Sequence, residues 1–233
     1  MKVVRCLGFI GTIWLAGCAA QPVLDTSASA QRSFDGLYPF THTGVDQAWA
    51  RADLDLSGYK RVKLESAGIE YRPTTAAANS RLALTRAGET EFPLNEKQRQ
   101  RLAEIFAEAF EAEMQNLKTL KVTEQEASDV LIVRGRLLDV VSKVPPEPLG
   151  RVDVYLESVG EATLVIEMID AQSKSVLVRA TDRREAENRG VPMPSNSVTN
   201  WMEVKRVAQS WARLLRIRLD SMMETMTLAE DAI

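Results

Sequence analysis

Two strand-length runs joined by a four-residue turn place the tightest limit on what this chain can become. GEATLVIEMID (Gly160–Asp170) alternates apolar and polar residues, AQSK follows, and KSVLVRATDRRE (Lys174–Glu185) alternates again. Successive side chains of a strand point to opposite faces, so this pattern predicts a β-hairpin with one buried face. SDVLIVRGRLLDVVSKV (Ser128–Val144) is a third, longer, β-branched run, and LKTLKV before it is a short one. Upstream, YKRVKLESAGIEYRP (Tyr59–Pro73) places Val62 and Leu64 on one face and Arg61, Lys63 and Glu65 on the other. Ile69 and Tyr71 have the opposite parity, so a bulge near Gly68 is expected to return them to the buried side before Pro73 closes the strand.

Two helices are expected around these strands. Asn95 with Gln98 three residues on forms a capping-box pattern. Leu102, Ile105, Phe106, Ala109, Phe110 and Leu117 then mark an apolar stripe at helical spacing. Near the end Asn200 precedes Glu203, and Val204, Val207, Ala208, Trp211, Leu214, Leu215 and Met222 line one side. The order β-α-β-β-β-β-α predicts an α+β fold: a mainly antiparallel sheet of about five strands with two amphipathic helices packed on one face. Residues 74–94 read as a long loop or loose hairpin. PPEPLGRVDVYLESV (Pro145–Val159) reads as a proline-broken excursion holding a small strand over Val152–Leu156.

The beginning of the chain answers to a different physics. Lys2 and Arg5 are followed by Cys6–Ala16, eleven uncharged and mostly apolar residues. As a helix these rise only about 16 Å, short of the ~30 Å hydrocarbon core, and the pattern is that of a secretory signal. The run ends Leu15-Ala16-Gly17-Cys18, which closely resembles the bacterial lipobox. That resemblance implies cleavage before Cys18 and attachment of acyl chains to it, anchoring the protein to the membrane; two or more chains anchor stably. By the sorting rule of Gram-negative lipoproteins, Ala19 after the cysteine implies the periplasmic face of the outer membrane. Residues 19–33 are small and polar, the composition of a flexible tether with a typical end-to-end span of roughly 20 Å. The expected division is 1–17 signal peptide, 18–33 lipidated cysteine and tether, 34–226 a single α+β domain, and 227–233 a C-terminal tail.

Charge and cysteine count exclude several function classes. The formal net charge is −3, and losing Lys2 and Arg5 makes it more negative. Nucleic acid, which requires a basic footprint, is therefore not an expected partner. Both cysteines, Cys6 and Cys18, precede the body, and His42 is the single histidine. A cysteine nucleophile, an internal disulfide or an imidazole-rich metal site in the body is excluded. No cofactor and no metal are expected.

FDGLYPF (Phe34–Phe40), ADLDLSGYKRVKLESAGIEYRP (Ala52–Pro73), VGEATLVIEMIDAQS (Val159–Ser173) and RATDRRE (Arg179–Glu185) together resemble a proteobacterial lipoprotein family, domain of unknown function 3313. The likeness covers roughly Phe34 to Leu219, and its motifs are structural. It implies a secreted lipoprotein and supplies no activity. One departure lies after Asp170, where the family places glycine and this chain has Gln172, Ser173 and Lys174.

Candidate chemistry is sparse. Ser57-Gly58-Tyr59-Lys60 matches S-x-x-K, but that chemistry requires a helix start, and here a strand is expected. Asp53 and Asp55 lack the further acidic positions and closing glutamate of a calcium loop, so a turn with Asx hydrogen bonds is expected. Lys205, Arg206, Arg213, Arg216 and Arg218 put cations on the last helix, either as a patch for anionic headgroups or an acidic partner, or as a solvated face screened by Glu104, Glu108, Glu111 and Glu113. Arg179, Arg183 and Arg184 stand at a strand end before a long loop that contains Arg189. With Arg151 and Tyr155 of the 143–160 excursion they are the candidate interaction residues, since long loops tend to carry function. No catalytic residue emerges. The expectation is a non-catalytic, lipid-anchored envelope module acting through an envelope protein partner, with a carrier of a lipid or small ligand as the alternative and a cell-wall enzyme as a third reading.

Overall fold

The structure is a computed structural model that describes residues 22–74, 90–145, 155–187 and 193–230. Among these the chain runs β1 (Val23–Leu24), β2 (Tyr38–Thr41), β3 (Gln47–Ala50), β4 (Arg61–Tyr71), α1 (Glu96–Met114), β5 (Lys121–Val122), β6 (Val130–Ser142), β7 (Tyr155–Leu156), β8 (Ser158–Asp170), β9 (Val176–Glu187), β10 (Met193–Pro194) and α2 (Ser197–Glu230). One sheet of eight strands has the order β1-β2-β3-β9-β8-β6-β4-β5, and β7 pairs with β10 in a separate ribbon.

The α+β class stands, but the sheet corrects the expectation in two respects. It has eight strands rather than about five, and it is mixed: β4 is parallel to both β5 and β6. The parallel pairing follows from chain order. Helix α1 carries the chain back along the sheet after β4, so β4 and β6 enter from the same end, as helix-spanned crossovers require. The additional strands β1, β2 and β3 have two to four residues each. That is too short to display alternation, and Pro39 interrupts the pattern of β2.

Between β4 and β6 the register runs evenly from Arg61↔Val130 to Ser66↔Gly135, then shifts before Ile69↔Leu137 and again before Tyr71↔Val140. Gly68 stands at φ +90 within the first shift. The bulge expected there is present, and Ile69 and Tyr71 both pack against the core with Val62. The β8–β9 hairpin also forms. Its turn is held by Asp170 Oδ1, which accepts from the Ser173 amide at 2.5 Å, and Lys174 closes it at φ +59.

Helix α1 begins at the expected capping box: Asn95 and Gln98 exchange side chain and backbone hydrogen bonds, each at 2.9 Å. Helix α2 begins one turn earlier than expected. Asn196, not Asn200, is its cap, since Asn196 Oδ1 accepts from the amides of Val198 and Thr199 at 3.0 Å each. Thr199 Oγ1 reciprocates by accepting from the Asn196 amide at 3.3 Å. The helix then continues to Glu230, beyond residue 226, where the domain was expected to end.

The two helices lie against each other through Ile105, Ala109, Ala208 and Ala212, and the three alanines permit close approach. The rings of Phe106 and Trp211 are 5.9 Å apart. Together the helices cover the sheet side that carries Leu131, Val133, Leu164, Ile166 and Val178. Trp211 and Leu219 are almost fully buried there; burial of a large apolar side chain contributes about 1.5–3 kcal/mol. Asp220 accepts from the Lys118 amide at 2.9 Å and ties the loop after α1 to α2. Arg216 pairs with Glu113 at 2.8 Å, so an α1 glutamate does screen one α2 cation.

The opposite sheet side bears charged residues paired across strands, among them Arg134–Glu65 at 3.0 Å and Arg179–Glu167 at 3.0 Å, with Lys63 reaching along β4 to Glu65 at 3.2 Å. At the chain's beginning, Val23 and Leu24 pair with Thr41 and Phe40. The sheet therefore takes up the polypeptide well before Phe34, inside the stretch whose composition reads as tether. Among the described residues no helix is long and apolar enough to cross a membrane.

Candidate functional site

Ala48 on β3 stands opposite Ala180 on β9 in an antiparallel pair, on the sheet side that meets α2. Two methyl groups occupy positions that larger side chains fill further along the sheet, and a pocket opens between these strands and the helix. Phe40, Leu164, Met168, Val178, Trp211 and Met222 form much of its wall, and Pro22 and Val45 stand on the side of β1 and the β2–β3 loop. The empty space is about 770 Å³ counted with its open mouth. Such a wall suits a hydrocarbon ligand with a small number of polar contacts.

Two charged residues line it, and they differ in one respect. Asp182 on β9 is buried, and its carboxylate accepts from Trp211 Nε1 at 2.7 Å, Arg184 Nε at 2.7 Å and the Asp46 amide at 3.1 Å. Its charge is met and both of its oxygens are hydrogen-bonded. Arg218 on α2 is half-buried and forms no ion pair among the described residues; its Nε is buried without a hydrogen-bond partner. Buried polar groups are ordinarily satisfied, so an orphaned one calls for an explanation. Thr43 and Ser221 add hydroxyl groups to the same lining.

The structure spreads the candidate interaction residues over several places. Arg179 lies on the charged sheet side, bonded to Asp35 at 2.7 Å and Glu167 at 3.0 Å, with its guanidinium 4.7 Å from the Phe34 ring centroid. Only 11% of its side chain is exposed. Burial lowers its proton affinity, but the bonds to Asp35 and Glu167 outweigh that and hold it above the ordinary arginine value. Arg183 is on that side too, paired with Glu161 at 2.6 Å and Asp139 at 2.9 Å. Arg184 turns to the helix side, where it donates to Ser210 Oγ at 2.6 Å and lies over the Trp211 ring. Tyr155 is exposed on β7, apart from the main sheet. Arg151, Arg189 and the anchor candidate Cys18 lie outside the described residues, as do Val152–Val154 of the expected small strand.

Other candidates resolve locally. Ser57 sits in a turn and donates to Asp55 Oδ1 at 2.7 Å, while Asp55 also accepts from the Ser57 amide. This is the expected Asx turn. Asp53 pairs with Arg51 at 2.9 Å. His42 is exposed at φ +59. Among the described residues no cluster of His, Cys, Asp and Glu is able to hold a metal ion.

Arg218 was the residue to single out. Trp211, Leu215, Arg218 and Met222 recur at spacings of four, three and four, so the arginine falls on the apolar stripe and not on the solvated face with Arg213. Counting it with the other cations of the helix concealed that.

A family model described as "Protein of unknown function (DUF3313)" matches residues 29–215. No curated protein matches the chain. Among solved structures, the chain is distantly similar to a PelC dodecamer subunit from Paraburkholderia phytofirmans, with 15% identity, a TM-score of 0.34, and coverage of 71% of this chain and 92% of that one. It is likewise similar to a DUF330-family protein from Xanthomonas campestris, with 8% identity, a TM-score of 0.33, and coverage of 76% and 93%.

Proposed function

This chain belongs to the DUF3313 family, whose description carries no activity, and we propose that it is a non-catalytic ligand-binding lipoprotein of the Gram-negative envelope. Acyl chains on Cys18 hold it at the periplasmic face of the outer membrane, and the pocket between β3, β9, β8 and α2 takes up the hydrocarbon part of a lipid or similar small molecule. The observation that carries this reading is the pocket itself, walled by apolar side chains and left open where Ala48 and Ala180 stand opposite each other.

Two measurements test it. Radiolabelled palmitate should enter the wild-type chain and not Cys18→Ser. The uncharged apolar probe N-phenyl-1-naphthylamine should bind the wild type and brighten, and Ala180→Phe, which places a ring in the gap, should reduce its affinity at least tenfold with the fold intact by circular dichroism. Absence of probe binding to the wild type removes the pocket reading. Absence of label removes the anchor.

A protein partner is a second reading, supported by Val198 and Met202, one helical turn apart at the start of α2 and both largely exposed. A photo-crosslinker at Met202 should capture one discrete envelope protein in intact cells; capture of nothing but lipid rejects this reading.

A further inference from the structure

We propose that the pocket selects amphiphiles with an anionic head, and that Arg218 is the residue that recognises the head. This rests on the pocket being a ligand site, and it adds the chemical class of ligand.

The inference comes from a charge balance within the pocket. The negative charge in its lining, Asp182, is already neutralised by Arg184 and hydrogen-bonded on both oxygens by Trp211 and the Asp46 amide. The positive charge, Arg218, has no carboxylate within ion-pair distance among the described residues, and its Nε donor is buried and unused. The pocket therefore presents a net positive charge at an otherwise apolar surface. A cation in such surroundings favours an anion over a neutral ligand, because charge-assisted hydrogen bonds strengthen where water is scarce.

The local packing keeps the guanidinium approachable. Gly44, in the β2–β3 loop, stands against it, and a Cβ at that position would lie 3.1 Å from Arg218 Nη2. Ser221, one turn along α2, and Thr43, beside Gly44, line the same pocket and supply hydroxyl donors for remaining oxygens of a carboxylate or phosphate. Arginine's planar fork fits both groups in a bidentate manner. Fatty acid and lysophospholipid share this chemistry, a single chain with an anion at one end.

The experiment uses the full-length chain carrying Cys18→Ser, which lacks the acceptor thiol and is handled without detergent. N-phenyl-1-naphthylamine is displaced by laurate, by dodecanol and by lyso-phosphatidylglycerol with a twelve-carbon chain. Laurate and dodecanol have equal chains and differ in head charge. Laurate is expected to displace the probe about tenfold more effectively than dodecanol, as one charge-assisted hydrogen bond supplies. Arg218→Gln should reduce this preference to near one while dodecanol affinity stays the same, and Arg218→Lys should retain part of it. Preference for the lyso-phospholipid over laurate assigns the head to a lipid phosphate, and the reverse assigns it to a free carboxylate; both support the proposal. Equal displacement by laurate and dodecanol in the Arg218-containing chain overturns head recognition and leaves the pocket standing. Failure of every competitor together with failure of the probe overturns the pocket reading and this inference with it.

Discussion

Trp211 Nε1 donates to Asp182 Oδ2 at 2.7 Å, joining the middle of α2 to the centre of β9. Both partners are buried, so the bond fixes the helix against the sheet at the edge of the pocket. Trp211→Phe keeps an aromatic ring and removes the donor. It is expected to reduce stability by about 1–3 kcal/mol, read from urea midpoints at constant m. A loss below about 0.5 kcal/mol would mean that Arg184 and the Asp46 amide satisfy the carboxylate by themselves.

Arg72 joins three carboxylates, Asp139, Glu91 and Glu161, from different parts of the chain. The hydrogen bond from Arg72 holds the Asp139 carboxyl below its ordinary value. For Glu161 burial pushes the carboxyl up, but the Arg72 hydrogen bond and the charges of Arg183 and Arg72 together carry it lower. Groups lowered in the folded state stabilise it above their unfolded pKa, and that contribution is lost as pH falls through the folded values. Wild-type stability is thus expected to decline below about pH 4. Arg72→Met, losing about 1–2 kcal/mol at pH 7, should show a shallower decline. Parallel acid slopes in the two proteins would contradict the linkage.

Glu126 lies between Lys174 and Lys63 on the surface. The hydrogen bond from Lys174, then that from Lys63, brings its carboxyl down to about 2. Carboxyl-detected NMR titration should find this low midpoint, and Lys174→Met should raise it. The midpoint should also rise in high salt, because exposed pairs are screened. A midpoint unmoved by either change would assign the shift elsewhere.

Asn196→Ala should cost about 1 kcal/mol through loss of the α2 cap. Asn200→Ala, within the first turn and with its side chain bonded among the described residues to Ser195 Oγ at 3.0 Å, should cost less. The reverse order, by thermal denaturation, would restore Asn200 as the cap.

The Asn196 cap illustrates how far local pattern reaches. Asn200 with Glu203 satisfies a capping box on paper, but Asn196 with Thr199 satisfies one in space, and the earlier start adds a turn. The long strands, the bulge at Gly68 and the α1 cap were legible because each depends on neighbours within a few residues. β1, β2 and β3 were not, because two to four residues carry no periodicity and only β3 pairs with one of the long strands. The parallel β4–β6 pair was open to inference from the β-α-β order alone. The pocket was hidden for another reason: it exists because Ala48 and Ala180, far apart in sequence, share one register position. Arg218 was legible as a cation on the apolar stripe of α2, but the space it faces was not.

Since β1 starts at Val23 and Pro22 lines the pocket, four peptide steps separate Cys18 from the entrance, at most about 14 Å of extended backbone. That leash is shorter than half of a ~30 Å hydrocarbon slab. Tied down at that sulfur, the protein would ride low on the leaflet like a boat on a short painter. A fatty tail leaving the bilayer would then pass from oil to protein across little more than the headgroup layer.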